Sequence, residues 1–550
     1  MFKHISILHT FNINGLNEYL LSELREENID DIEIHIGEYN SLGETAIQFK
    51  SLYDELPITF ILLTQEDLSR LAGASSLNYK DSIKRIRDFL GHQLPIICEY
   101  SKAVFIIEPI SVLESPNFSN HMRAVELKAY LNSYFINLQE NYSNLRFFPL
   151  PSDLLVKIDP RYYYYGSLPL GVKTGELISK CIMKIILNYI REKPKIVVFD
   201  LDNTIWGGVI GEDGIDGIQI GDNFPGNVYR DIQNSLMRLH KYGVLLIAIS
   251  KNSLEDAQLG LRHPEGIIRE DKLLALSASW GAKHESLVEI LKEHNLSQNG
   301  IYFLDDSEIE REEMAISNIN LTILNEDSSP VILLQSLLDL ESDIHHSLTS
   351  GDILRANSYL GLKEANETRS KFSSKEDFLR SLKLKLKSKS LNPNNLKRAH
   401  QLINKTNQFN LTGVRLTINQ LQARMNSDKF KYIVFSLEDI YTHHGEIALI
   451  GLHFNKLNIE IVHFLVSCRV LGRGIEYSLF NYVIDLIKDL PFEFLLSYYE
   501  IKNISEPASE FYLNAGMKIT QRTKQRIKFN ARIREYNKKE TKCIEIENSQ

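Results

Sequence analysis

Cysteine is scarce: Cys98, Cys181, Cys468 and Cys543 are the only four in 550 residues, at scattered spacings. That spacing excludes a disulfide framework and a cysteine-ligated zinc site, and a reducing cytoplasm is expected. Long apolar runs are missing too. No stretch approaches the roughly 18 residues of a membrane-spanning helix, so no membrane partner is expected. The opening "MFKHISILHTFNING" lacks the basic and then apolar pattern of a secretory leader. Positive charge is not in excess: 62 Lys and Arg face 71 Asp and Glu, a net −9. That balance argues against a nucleic-acid partner. What is present, 43% hydrophobic and 24% charged residues, is ordinary globular composition, and the length calls for about three domains.

Three regions separate along the chain. In residues 1–190, strands such as "ISILHTF", "IEIHIGEY", "ITFILLT" and "VFIIEPI" alternate with helical patterns, among them a long one over 122–141. Such alternation predicts a parallel sheet covered on both faces. Residues 191–345 repeat the plan with strands "KIVVFD", "VLLIAIS" and "GIYFLDD", each ending in polar residues. The third region, 346–550, opens with a helical connector and then "LKLKLKSK", whose alternation fits a half-buried strand with a solvated lysine face. The strands "KYIVFSL", "EIALIGLHF" and "IEIVHFLVS" follow with no helix between them, so this region is α+β. The last twenty or so residues read as a polar tail.

"VVFDLDNTIWGGVIGEDG" aims two carboxylates, Asp200 and Asp202, at one place after an apolar strand. Like charges held close raise each other's pKa, so a cation is expected between them, and a hard divalent metal is the first choice. The other strand ends add Ser250, Lys251 and Asn252, then Asp305 and Asp306, and "WGAKHES" adds Lys283 before a helix. Ligands bind beyond the carboxyl ends of strands in open α/β sheets, so these ends are expected to share one site.

Acid pair, hydroxyl, lysine and acid pair, in that order, resemble the four motifs of the haloacid dehalogenase (HAD) superfamily. The resemblance implies a Rossmann-like α/β fold and phosphoryl chemistry. Asp200 would be the nucleophile, Asp202 the acid and base, and Ser250, Lys251, Asn252 and Lys283 the phosphate-binding groups. Mg2+ would be held by Asp200, the backbone carbonyl of Asp202, Asp305 and Asp306. No long insertion follows the glycine-rich "TIWGGVIGEDG", so the site is expected to be uncapped. Trp206 is expected either to wall the pocket or to sit in the core.

"SCRVLGRGIE" opens a likely helix with Arg469, Gly472, Arg473 and Gly474. Small residues there let a backbone approach a pyrophosphate at a helix N-terminus. The segment resembles the acyl-CoA loop of the GNAT acyltransferase fold, with Asn503 and Tyr512 in that fold's C-terminal part. Together with "NKTNQFN", these motifs resemble the FkbH-like family over almost the whole chain. That resemblance implies removal of phosphate from D-1,3-bisphosphoglycerate and loading of a glyceryl unit onto an acyl carrier protein for polyketide or related biosynthesis. Phosphopantetheine on the carrier, or acyl-CoA, would meet the GNAT-like region. Cys468 beside two arginines is a candidate acyl-carrying thiol, with a small core residue as the plain alternative. Ile205 and Met517 depart from the usual residues of the pattern.

The first region is similar to SGNH hydrolases, but Thr10 stands where their serine would be, so a docking module is expected there. The run Tyr162–Tyr165 is expected to pack on a neighbouring domain. Two further readings stay open: a phosphatase fused to an acyl-CoA-dependent N-acyltransferase acting on an amino sugar for surface polysaccharide, and a non-catalytic scaffold. Residues 518–540 carry nine Lys or Arg against two Glu, which reads either as a docking surface for an acidic carrier or as a solvated strand.

Overall fold

The computed structural model describes the chain apart from residues 1–2, 14, 28, 30, 54, 75–77, 113–120, 143, 151–159, 168–171, 191–192, 346–349, 370–371, 407–408, 456, 502–507, 509, 540, 542–543 and 549–550. Two compact units divide it, residues 1–191 and 192–550. Among the described residues no helix is long and apolar enough to cross a membrane.

The first unit contains β1 (His4–His9), β2 (Glu33–Ile36), β3 (Ile58–Leu62), β4 (Ala103–Ile107) and β5 (Leu145–Phe148). They form one parallel sheet in the order β2-β1-β3-β4-β5, which is the flavodoxin-like order. Every residue of β3 and β4 is buried, as expected where helices cover both faces of a parallel sheet. Period-two alternation divides β1 between two cores: Ile5 and Ile7 enter one, Leu8 the other. Tyr163 packs inside this unit and donates a 2.7 Å hydrogen bond to Asp67, while Tyr162, Tyr164 and Tyr165 are exposed. Tyr163 therefore serves its own unit.

The second unit begins with β6 (Ile196–Phe199), β7 (Leu245–Ser250), β8 (Ala275–Ala278), β9 (Ile301–Leu304) and β10 (Leu321–Ile323), parallel in the order β10-β9-β6-β7-β8. Between β6 and the helix Gly226–Lys241 the chain adds only turns and the short helix Ile210–Gly217. The strand ends beyond β6 therefore carry no inserted domain among the described residues. The helix Ser350–Arg369 packs against both β7 and the next sheet. At its first turn the carbonyl of Asp352 sits where a Cβ on Gly243 would be, and Gly243 also has φ +88°, so glycine is required there.

That next sheet holds β11 (Leu384–Ser390), β12 (Phe409–Asn410), β13 (Phe430–Glu438), β14 (His443–Phe454), β15 (Asn458–Val466), β16 (Phe494–Glu500), β17 (Lys518–Arg522), β18 (Arg526–Arg532) and β19 (Ile544–Asn548). Its order is β17-β18-β16-β15-β14-β13-β11-β19, with β12 attached to β15. The strands from β11 to β15 pair antiparallel, whereas β15 and β16 are parallel and joined by the helix Ile475–Ile487. This mixed α+β arrangement is the one expected of a GNAT-like region. β15 and β16 pair only over residues 458–460 and 494–496, and then separate. The chain's own β12 enters that opening: the Leu411 amide donates to Phe464, and the Glu500 amide donates to Leu411.

In β11 Leu384, Leu386 and Ser388 are buried and Lys385 is exposed, so the lysines belong to a solvated strand face. The supposed polar tail is corrected as well. Residues 544–548 form β19, parallel to β11, because Ile544 and Ile546 alternate with glutamates and pack against the core.

Candidate active site

The order of the second sheet reverses between β6 and β9, and ligands bind at the carboxyl ends of strands at such a switch point. Asp200 follows β6 directly and Asp305 follows β9. The Asp200 amide donates to the Leu304 carbonyl at 3.1 Å, which fixes both acids to neighbouring strand ends. The carboxylates of Asp200, Asp305 and Asp306 each place an oxygen within 4.8 Å of the others. Lys283, the first residue of the helix Lys283–Glu293, sits between two of them, 2.9 Å from Asp200 and 2.6 Å from Asp305.

These charges are buried: Asp200 is 6%, Lys283 4% and Asp305 0% exposed. Removal from water favours the neutral acid. Burial raises Asp200 to about 6 against the opposing pull of Lys283, and burial likewise raises Asp305 and Asp306. One ammonium therefore leaves three carboxylates short of positive charge. A divalent cation among hard oxygen donors supplies it, so the residues fit such an ion.

Asp202 is held differently. Its Oδ1 accepts from the Trp206 indole at 2.8 Å and from the Ile210 amide at 3.0 Å. Its Oδ2 accepts from Asn252 at 2.8 Å, and Asn252 also donates to Ser250 at 3.1 Å. Trp206 is thus fully buried and still serves the site through its N–H. Asp202 lies outside the group of three clustered carboxylates, and its side chain is oriented by donors on the β6 and β7 sides. Lys251 pairs with Glu310.

Sequence reasoning missed the supports beneath the acids. Arg311 donates to the carbonyls of Asp305 and Asp306, both at 2.8 Å. Asn325 accepts from the Asp305 amide and donates to its carbonyl. The Asp306 amide donates to Thr204 at 3.2 Å. Only Thr204, within "DLDNT", carried a signal in the sequence.

The loop before the helix Ile475–Ile487 forms a second locus. Gly472 and Gly474 have φ of +81° and +77°, with open space where a Cβ would stand, so glycine allows both the turn and close approach. The Gly472 amide donates to Glu476 at 3.3 Å. Arg473 is committed elsewhere: it donates to buried Asp439 at 2.8 Å. Asp439 also holds the His444 Nε2 at 2.9 Å, and His444 Nδ1 meets Ser358 Oγ at 2.6 Å. Ser358 and His444 have no exposed surface, so this Ser-His-Asp chain ties the connector helix to the sheet and offers nothing to a substrate. Tyr512 is fully buried, and burial pushes its hydroxyl pKa up. Asn503 and the Cys468 side chain lie outside the described residues.

Arg469 faces a cavity of about 200 Å³ with Lys195, Arg355, Arg398, Lys405 and Asp352. Lys195 and Leu245 bring the starts of β6 and β7 to this cavity, the end of the sheet opposite Asp200. Lys405 and Thr406, from "NKTNQFN", line it as well. Burial lowers Lys405 to about 8 and Arg398 to about 10.

No protein-family model and no curated protein matches the chain. Among solved structures, the N-terminal part of Bacteroides fragilis protein BF1531, which contains a phosphatase domain and was crystallised with Mg, covers 62% of this chain and 93% of its own at 22% identity, with a TM-score of 0.52. At that identity the likeness is one of fold alone, a multidomain α/β chain. Two shorter matches are the Escherichia coli ribosomal-protein-S18-alanine N-acetyltransferase, at 12% identity over 28% of this chain and 99% of its own, with a TM-score of 0.23, and the Vibrio cholerae spermidine N-acetyltransferase, at 16% over 27% and 95%, with 0.22. The GNAT-like arrangement of the second unit stands on its own strand pairing.

Proposed function

We propose that the chain is a Mg2+-dependent HAD-type phosphatase joined to an acyl-transferring region, acting in the FkbH-like manner. The observation that carries the first half is the convergence of Asp200, Lys283, Asp305 and Asp306 at the switch point, with Asp202 separately oriented beside them. Asp200, Asp305 and Asp306 would hold Mg2+, the ion found with the BF1531 domain, and bound there it offsets phosphate charge. Asp200 attacks phosphorus, the bond to the leaving oxygen breaks, and Asp202 supplies that oxygen with a proton. Asp202 then takes a proton from water, which cleaves the aspartyl-phosphate and restores Asp200. Ser250 and Lys283 bind the phosphoryl oxygens.

The substrate in this reading is D-1,3-bisphosphoglycerate. Its phosphate monoester is removed at Asp200. Its acyl phosphate keeps the activation needed for a thiol to attack the acyl carbon and expel phosphate, giving a glyceryl thioester on Cys468 and then on the phosphopantetheine of an acyl carrier protein. Exposed Arg526, Lys528 and Arg532 on β18 form the docking face for that acidic partner. Residues 1–190 act as a binding module. Incubation with Mg2+, 1,3-bisphosphoglycerate and acyl carrier proteins, followed by intact mass, tests the reading. A carrier gaining one glyceryl unit supports it, and phosphate release with unmodified carriers refutes the transfer. The open space over Gly472 and Gly474 favours a second reading, an acyl-CoA-dependent N-acyltransferase. Consumption of free acetyl-CoA in the same experiment selects that one.

A further inference from the structure

The parallel register of the first unit sets His4 of β1 beside Glu33 of β2. His35 follows Glu33 by two residues, and positions i and i+2 of a strand share a face. An E-x-H on the edge strand and a histidine on its neighbour therefore bring three donors together. His4 Nδ1 lies 3.3 Å from His35 Nε2. Glu33 Oε2 lies 3.4 Å from the first nitrogen and 3.5 Å from the second.

This near-equilateral triangle is wide for hydrogen bonds, whose N···O distances centre on about 2.9–3.0 Å. It fits the edges of a tetrahedron instead. Donors about 2.0–2.1 Å from one ion stand about 3.3–3.4 Å apart in tetrahedral coordination. The surroundings suit an ion as well. The Tyr53 hydroxyl meets the other nitrogen of His35, Nδ1, at 3.3 Å, the place where ligating imidazoles take an orienting partner. The rings of Phe49 and Tyr53 pack against both imidazoles. The cluster sits at the amino ends of β1 and β2, away from the unit's switch point.

We infer that the first unit binds a divalent transition-metal ion, Zn2+ foremost, through His4 Nδ1, Glu33 Oε2 and His35 Nε2, with water at the fourth position. Two imidazoles and one carboxylate are a zinc donor set. The inference is independent of the chemistry at Asp200.

Co2+ is the probe. Titrated into the full-length protein under excess Mg2+, which occupies oxygen-only sites, it should bind with one equivalent showing the intense visible bands of a tetrahedral centre. Zn2+ should bleach them. Glu33→Gln alters a side chain that is 67% exposed, so the fold survives, as circular dichroism would verify. That variant should bind Co2+ about a hundredfold more weakly, and Tyr53→Phe about tenfold. His35→Gln should lose the bands, and Asp200→Asn should keep them. Wild-type protein giving only weak octahedral bands, or Glu33→Gln and His35→Gln binding like wild type, overturns the inference.

Discussion

The sheets β2-β1-β3-β4-β5 and β10-β9-β6-β7-β8 share a plan, five parallel strands with a reversal of order beside the first, yet their switch points hold opposite chemistry. Beyond β6 and β9, buried acids outnumber the single Lys283 among them. Beyond β1 and β3, Thr10, Thr64, Asp67, Tyr163 and Arg70 satisfy one another. Thr10 accepts from the Thr64 amide, Thr64 donates to Asp67, and Asp67 takes Tyr163 and Arg70 as further partners. The first arrangement has charge left over for a ligand, and in the second the charge of Asp67 is matched within the unit. Fold supplies the place; only the side chains decide whether chemistry happens there.

The comparison breaks most sharply on one atom. Asp200→Asn should lower phosphate release by roughly a millionfold, the scale of losing a nucleophile, with unchanged circular dichroism. Thr10→Val, at the matching strand end of the first unit, should leave release within about twofold, because a position matched within its own unit contributes no group to catalysis.

Lys283→Met comes next. It strands Asp200 and Asp305 without their cation, and breaking a buried pair costs about 3–5 kcal/mol. Thermal unfolding in EDTA should show that loss, and Mg2+ should recover part of it. Asp67→Asn is its counterpart in the first unit. Weakening the Tyr163 and Arg70 contacts should cost about 1–3 kcal/mol, with phosphate release unaffected.

The smallest effect concerns the third sheet. Charge reversal at Arg526, Lys528 and Arg532 should slow carrier loading about tenfold at low salt through the association rate, and hardly at all at high salt. Phosphate release from the small substrate should not change. Normal loading at low salt would remove this face from the docking proposal.

Much of this is legible in the sequence. Strand ends rich in Asp, Ser and Lys marked the open site, because a buried apolar run followed by charge needs a reason. Alternating lysines marked β11 as half solvated. Other parts were illegible for physical reasons. β19 is short, and its pairing to β11 joins residues far apart in sequence. Arg311 and Asn325 act on backbone atoms, which leave no pattern in side-chain order. Arg473 looked like a ligand-binding cation, and its partner Asp439 could not be located without the fold. His4, Glu33 and His35 became neighbours only through strand register.

The cavity lined by Lys195 lies at the start of β6, and Asp200 lies just past its end. At about 3.3 Å per strand residue, roughly 16 Å of backbone separates them. Sites that far apart with no shared partners respond additively to substitution. The strand thus works as a rigid spacer between two independently adjustable ends. Substitutions at the arginine-lined end therefore leave the acids undisturbed, and the converse holds as well.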